Sequence, residues 1–255
     1  MGHERIGFLP KSQSWNNIIN QLKLFDNNPN TISKIADNTL ENVRALYKEM
    51  HNNESLFSAI KFLAILAISA NRENQLNFLN SSGINISEIS IFALAYGVKE
   101  YVKTERGSLE INKITCDSVL EAIVKYEHNN KNLQNELFES TRENLWSKIG
   151  SGSNFCELAR LFFASFTDRH LRYYLERETA HSIDNFSKIE NFKKTLYEQI
   201  TQHSYETAKI MQSYAAGWFN KYAIAGSPSN EEITGFLKIS FEKMREEFRR
   251  EAVKT

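Results

Sequence analysis

The histidine, cysteine and glycine residues of this chain do not occur at the spacings that well-known types of catalytic site require. No two histidines are four residues apart with a Glu beside the first, which excludes the helical zinc-protease pattern. His170 and His181 are eleven residues apart, so on one helix they lie about 16 Å from each other and cannot bind the same ion. Gly-rich phosphate-binding loops and the Gly-x-Ser-x-Gly nucleophile motif are also missing from the sequence. We therefore expect no metal and no cofactor.

One pair of residues has the spacing that a class of all-helical nucleases uses. Ribonucleases of the HEPN type have an Arg and a His with four to six residues between them, so that the His acts on the 2′-hydroxyl and the Arg on the phosphate. Arg44 and His51 have six residues between them. With six His and twelve Arg in 255 residues, about one such pair is expected by chance. A HEPN-like ribonuclease using Arg44 and His51 is therefore an enzymatic alternative, which requires both side chains to reach one pocket.

The segment 154–181, called here the arginine-rich segment, is the strongest candidate for contact with a partner. It combines cations with aromatic rings, a mixture found both at protein interfaces and on surfaces that stack nucleic-acid bases. Its residues of this kind are Arg160, Phe163, Arg169, Arg172, Tyr173, Tyr174 and Arg177. Four acidic residues in the same segment nearly cancel the four arginines, which favours a self-paired surface or a protein interface. The nucleic-acid alternative predicts one positive surface that continues onto Lys193 or Lys194.

The overall composition is that of a folded chain without a preference for anionic partners. Hydrophobic residues make up 41% of the sequence and aromatic residues 12%, more than a disordered chain contains. The 31 basic and 31 acidic residues balance. The most apolar window, 56–70, is shorter than the roughly 20 residues that cross a bilayer, so we expect no membrane partner. Two cysteines without metal or disulfide spacing, and an N-terminus without an apolar leader, indicate a cytoplasmic protein.

The scarcity of glycine and proline predicts an all-α fold. The chain has 10 Gly and 3 Pro and no Asn-Gly or Asp-Gly hairpin signal, so we expect an array or bundle of about eight to ten helices. A capping box is predicted at Ser118 and Glu121. The loop near residue 107 divides the prediction into an N-terminal subdomain, 1–107, and a C-terminal subdomain, 108–255. The expected helices cover about 12–25, 31–51, 54–70, 71–80, 87–105, 118–138, 154–181, 186–222 and 229–252.

Three apolar stretches are assigned to packing or to contact. In the helix after Ser87, the inward positions are expected to be Ile91, Phe92, Ala95, Val98 and Val102. Phe8 and Trp15 belong to an apolar N-terminal arm that either packs on its own domain or docks into a partner. On the last helix, Phe236 and Phe241 widen the apolar arc, which predicts a helix placed between its own domain and another chain, including a second copy.

These patterns favour a non-enzymatic protein that acts through contacts. We expect a helical interaction subunit of a larger cytoplasmic assembly, with a bacterial machinery for nucleic-acid processing or phage defence as the conjectured setting. A protein partner, or another copy of this chain, is the expected contact. The alternatives are the HEPN-like ribonuclease and a nucleic-acid-binding module built on Arg160 to Arg177.

Overall fold

The prediction of an all-α protein is confirmed. The computed structural model describes residues 13–25, 28–104, 108–135, 145–182, 186–223 and 226–254, and these ranges contain helices and connecting turns but no strand. Ten α-helices and two 3-10 helices lie within them. The α-helices are α1 Gln13–Lys23, α2 Pro29–Leu46, α3 Glu54–Ser69, α4 Gln75–Ser81, α5 Ile91–Tyr101, α6 Leu109–Asn135, α7 Gly152–Ser182, α8 Phe186–Lys209, α9 Gln212–Ala223 and α10 Asn230–Lys254; the 3-10 helices are Met50–Asn52 and Leu145–Ser147. None of the described helices has the length and apolar content to cross a bilayer.

Asn and Ser side chains define where the helices begin. The Asn53 side-chain oxygen accepts the backbone N–H groups of Ser55 and Leu56, which caps α3. A reciprocal capping box starts α10: the Glu232 N–H donates to the Ser229 hydroxyl at 3.3 Å, and the Ser229 N–H donates to the Glu232 carboxylate at 2.6 Å. These caps explain why polar residues gather at the breaks between apolar segments.

The predicted capping box at Ser118 is wrong. Ser118 lies in the middle of α6, and its hydroxyl donates back to the Ile114 carbonyl at 2.6 Å. The helix instead starts after Ser108, whose hydroxyl accepts the Ile111 N–H at 3.4 Å. Likewise, α5 starts after Ser90 rather than Ser87, with the Ser90 hydroxyl accepting the N–H of Ala93.

The predicted single helix over 186–222 is also wrong, because the chain breaks between α8 and α9. The N–H groups of Ile210 and Met211 bond to carbonyls three residues back, which tightens the last turn of α8. One straight helix over this range is about 55 Å long, whereas the 31 residues of α7 span about 46 Å. The break lets both α8 and α9 lie along α7 and buries Met211 at the corner. The second helix is also shorter than predicted: it ends at Leu46, and the 3-10 helix Met50–Asn52 precedes α3.

Helix α7 is the centre of the molecule. The helices α6, α8 and α9 pack along it, and α1, α2 and α3 also contact it. The predicted inward stripe of α7, which includes Phe155, Phe162 and His170, is buried, but Phe163 on the other side is buried as well. The buried apolar residues form one connected core with members on both sides of residue 107. A division into two subdomains at that point stays a prediction.

Candidate functional site

Arg169 of the arginine-rich segment is bound to a carboxylate of the neighbouring helix. Its guanidinium donates to Glu121 Oε2 on α6, from Nη2 at 2.8 Å and from Nε at 3.0 Å. The same carboxylate accepts the Ser165 hydroxyl at 2.7 Å and pairs with Lys125 at 2.5 Å. Lys125 also donates to the Tyr205 hydroxyl on α8. These bonds tie α6, α7 and α8 together and neutralise Arg169.

Arg172 is held in a second network between α7 and α8. Its Nη2 donates to Asp168 Oδ1 at 3.0 Å, and its Nε lies at an ion-pair distance of 2.9 Å from Oδ2 without hydrogen-bond geometry. The Thr201 hydroxyl accepts a bond from Arg172 at 2.7 Å and donates to Asp168 at 2.8 Å. The guanidinium also lies 4.1 Å from the centroid of the Tyr197 ring. The charge of Arg172 is therefore satisfied within the fold.

The pKa values of the two carboxylates show how differently these networks are balanced. Burial acts to raise the pKa of Glu121, but hydrogen bonds from Lys125 and Ser165 and the nearby positive charges lower it to about 2. Burial raises the pKa of Asp168 and outweighs the opposing effects of Arg172 and Thr201. Glu121 is the more strongly stabilised anion of the two.

A groove of about 660 Å³ runs between α6 and α7 beside these networks. Five of its side chains are acidic and three are basic, so its lining does not form the positive surface that a phosphate backbone requires. The lining residues are Glu110, Lys113, Ile114, Asp117, Glu121, Asp168, Arg169, Arg172, Tyr173 and Glu176. In this region the charged side chains pair with each other. This self-paired surface was one of the two interpretations that the sequence favoured.

The aromatic residues of the arginine-rich segment do not form a stacking platform. Phe163 and Tyr174 are buried, and Tyr173 is half-buried against the core. Arg160 is half-buried, and its Nε is shielded from solvent without a hydrogen-bond acceptor among the described residues. The side chain of Arg177 lies outside the described part of the molecule. None of these three rings is exposed on the surface, as the stacking of bases would require.

Arg44 is not among the residues that line the pocket beside His51. Arg44 is on the last turn of α2, whereas His51 is in the 3-10 helix that follows, so the ideal helix assumed for the pair is interrupted. The pocket beside His51 is lined instead by Lys238 and Arg245 of α10, together with residues 47–49 and Glu242. This pocket gives no support to the ribonuclease alternative, which stays a prediction.

The apolar residues assigned to partner contact are core residues wherever the structure describes them. Trp15 is fully buried and meets the Tyr174 ring edge-on at 5.9 Å, which fastens α1 to α7. Phe236 and Phe241 are also fully buried, and both pack against Phe163. The prediction that the arc of α10 needs another chain is therefore wrong: rings of α7 and α9 cover Phe236, and Tyr47 together with rings of α7 covers Phe241. Phe8 lies outside the described residues.

The cysteines and the described acidic and histidine residues give no sign of a metal centre. Burial raises the pKa of the Cys156 thiol and of the Cys116 thiol. Within the described ranges, no three His, Cys, Asp or Glu side chains are grouped closely enough to hold a metal ion.

Helix α5 presents two aromatic side chains to solvent. The sequence pattern did not predict these residues as a contact surface. Phe92, predicted to face the core, is 85% exposed, and Tyr96 is 61% exposed. The two residues are one turn apart and share a face of the helix. All other aromatic side chains that the structure describes are buried or half-buried. Exposed Lys99 and Glu100 border the pair with both signs of charge.

The opposite face of α5 fixes this orientation. Leu94 and Val98 are buried against the core, and the ring of Tyr101 meets Phe62 edge-on at 5.8 Å. Gly97 lets α5 approach closely, because a Cβ atom there is only 3.0 Å from a methyl carbon of Ile86. Because these contacts hold the inner face of α5 against the core, Phe92 and Tyr96 point outward.

Comparison of the chain with protein-family models, with curated proteins and with solved structures found no match.

Proposed function

We propose that this protein is a non-enzymatic subunit of a larger assembly and that it binds a protein partner through the aromatic pair Phe92 and Tyr96. The observation that carries the proposal is the exposure of these two rings on a helix whose other face is anchored in the core. Large aromatic side chains are enriched at the centres of protein interfaces, where they supply much of the binding energy.

The surroundings of the pair match the anatomy of a protein interface. An apolar centre bordered by mixed charges favours a partner with an apolar pocket and a polar rim. Lys99 and Glu100 provide charges of both signs at this border, so they favour one register of docking over others. A partner that offers mainly negative phosphates gains little from such a surface.

The charged networks on α7 support a protein partner over nucleic acid. Arg169 and Arg172 already bind Glu121 and Asp168, so contact with phosphate requires these ion pairs to break. The setting of the assembly remains our proposal from the sequence, a bacterial machinery for nucleic-acid processing or phage defence.

The test is purification of the tagged chain from its native host with and without the aromatic pair. The variant carries Phe92→Ser and Tyr96→Ser, and the control carries Leu24→Ser and Val124→Ser, which also remove exposed apolar side chains. We expect the unaltered chain and the control to elute with a stoichiometric partner at a mass above 29.5 kDa. The aromatic variant elutes alone with an unchanged melting temperature.

Retention of the same partner by the aromatic variant contradicts the proposal. A chain that elutes alone in all three forms contradicts it as well.

A further inference from the structure

A pocket of about 310 Å³ lies between α10 and the 3-10 helix Met50–Asn52. It is separate from the α5 surface, and it combines side chains from two parts of the chain nearly 190 residues apart. Its lining residues are Tyr47, Lys48, Glu49, His51, Lys238, Glu242 and Arg245.

The cations that α10 contributes to this pocket are not neutralised by the fold. Lys238 and Arg245 make no hydrogen bond or ion pair with any side chain in the described part of the chain, although Glu242 lies between them on the same helix. Glu49 is engaged elsewhere, because its Oε2 accepts the Asn52 amide at 3.2 Å. This contrasts with α7, where Arg169 and Arg172 both bind carboxylates.

Arg245 is the second unpaired cation that lines the pocket. Its Nε is shielded from solvent, yet the described residues offer it no acceptor. Because Nε is shielded, a ligand in the pocket can contact only the terminal Nη groups of the guanidinium, which have no partner among the described residues. The guanidinium fork suits an oxyanion with several oxygens.

The histidine of the pocket is oriented by the backbone. His51 Nδ1 lies 3.0 Å from the Lys48 carbonyl oxygen, and since a carbonyl only accepts, Nδ1 is the donor. This bond fixes the ring and leaves Nε2 as the nitrogen available to a ligand. In the neutral ring Nε2 carries no proton, so it can accept a hydrogen bond from a hydroxyl group of the ligand but does not bind the phosphate oxygens.

We propose that this pocket binds a phosphate monoester of small-molecule size, with Arg245 and Lys238 contacting the phosphate oxygens. The lining holds three cations, Lys48, Lys238 and Arg245, against the carboxylates of Glu49 and Glu242, so cations exceed carboxylates by one. A phosphate monoester carries a charge of about −1.5 to −2 at pH 7 and is therefore attracted more strongly than a singly charged carboxylate. The volume is at the lower end of the range for small-molecule sites and exceeds what a bare phosphate ion fills.

The test is isothermal titration of the full chain with inorganic phosphate, ribose 5-phosphate and acetate at an ionic strength held constant with NaCl. We expect one site per chain, tighter binding of ribose 5-phosphate than of phosphate, and at least tenfold weaker binding of acetate. Arg245→Gln and Lys238→Gln should each weaken phosphate binding about tenfold, because each removes a charged contact. Arg72→Gln is the matched control, since Arg72 is exposed and packs over Phe78 away from the pocket.

Several results overturn the proposal. They are the absence of binding by both phosphate compounds, acetate binding as tightly as phosphate, or equal loss of affinity in the Arg72→Gln control. If Arg245→Gln does not fold, as judged by its circular dichroism, the exposed Lys238→Gln decides: unchanged affinity in this variant refutes the site.

Discussion

The buried histidine of α7 makes the stability of this protein depend on pH in a way that one substitution removes. His170 is fully buried, and neither ring nitrogen has a hydrogen-bond partner among the described residues. Its ring stacks between Tyr47 at 5.6 Å and Phe166 at 5.4 Å. Burial lowers the pKa of His170 from 6.5 to about 3, because the surroundings cannot solvate the imidazolium.

The sign of the effect follows from proton binding in the two states. Between pH 6.5 and about 3, the unfolded chain is protonated at position 170 while the folded chain is not. Acidification therefore favours unfolding, and the stability contributed by the neutral His170 is complete above pH 6.5 and decreases below it. With these two pKa values, the free energy of unfolding falls by about 2 kcal/mol between pH 7.5 and pH 5.

Urea unfolding of the wild type and of His170→Phe at pH 7.5 and pH 5 measures this contribution. Phe fills a similar volume without polar atoms, so His170→Phe should lose the 2 kcal/mol dependence and gain about 1 kcal/mol at pH 7.5. His128→Gln, which alters an exposed histidine, should keep the wild-type dependence. If His170→Phe and the wild type lose stability equally on acidification, the buried neutral imidazole is not the cause.

Three further substitutions test the charged networks and the core. Glu121→Gln should lower the free energy of unfolding by about 1 to 2 kcal/mol at pH 7, because Arg169 and Lys125 lose their shared carboxylate. The pKa of Glu121 is about 2 in the folded protein and 4.5 ordinarily. The difference in the free energy of urea unfolding between Glu121→Gln and the wild type should therefore become smaller as the pH falls from 4.5 toward 2. A difference that stays constant over this range contradicts the assignment. Phe236→Ala should cost about 3 to 5 kcal/mol, measured by thermal unfolding, and a stable variant with altered association would restore the interface interpretation. Arg172→Lys should cost about 1 kcal/mol in urea unfolding because Lys cannot bind both oxygens of Asp168, and an unchanged midpoint would show the fork to be unimportant.

The helices were predictable where a single apolar stripe or a clear break marks them. The prediction for α3 nearly matches Glu54–Ser69, and α10 starts just after the Gly226-Ser227-Pro228 break, as expected. The break after Lys209 was not predictable from local residues, because no Gly or Pro stands there. It follows from the length of α7, a property of the tertiary packing rather than of the sequence at residue 210.

The exposed face of α5 shows why the candidate site escaped prediction. The helix is apolar almost all round, so one stripe through Phe92 and Ala95 and another through Leu94 and Val98 fit a helical period equally well. The choice between them depends on contacts with Ile86 and other distant residues. Likewise, the spacing of arginines on α7 indicated contact, but their carboxylate partners on α6 could be identified only from the fold.

The proposed contact through α5 is tested most directly by photo-crosslinking in cells of the native host. A benzophenone amino acid replaces Tyr96 in the test chain. In the control chain it replaces Leu24, an exposed apolar residue just after the end of α1. We predict one discrete crosslinked product with a protein partner from position 96, none from position 24, and its loss when Phe92→Ser is added. No product from position 96, or the same products from both positions, would contradict the assignment of α5 as the partner-binding surface.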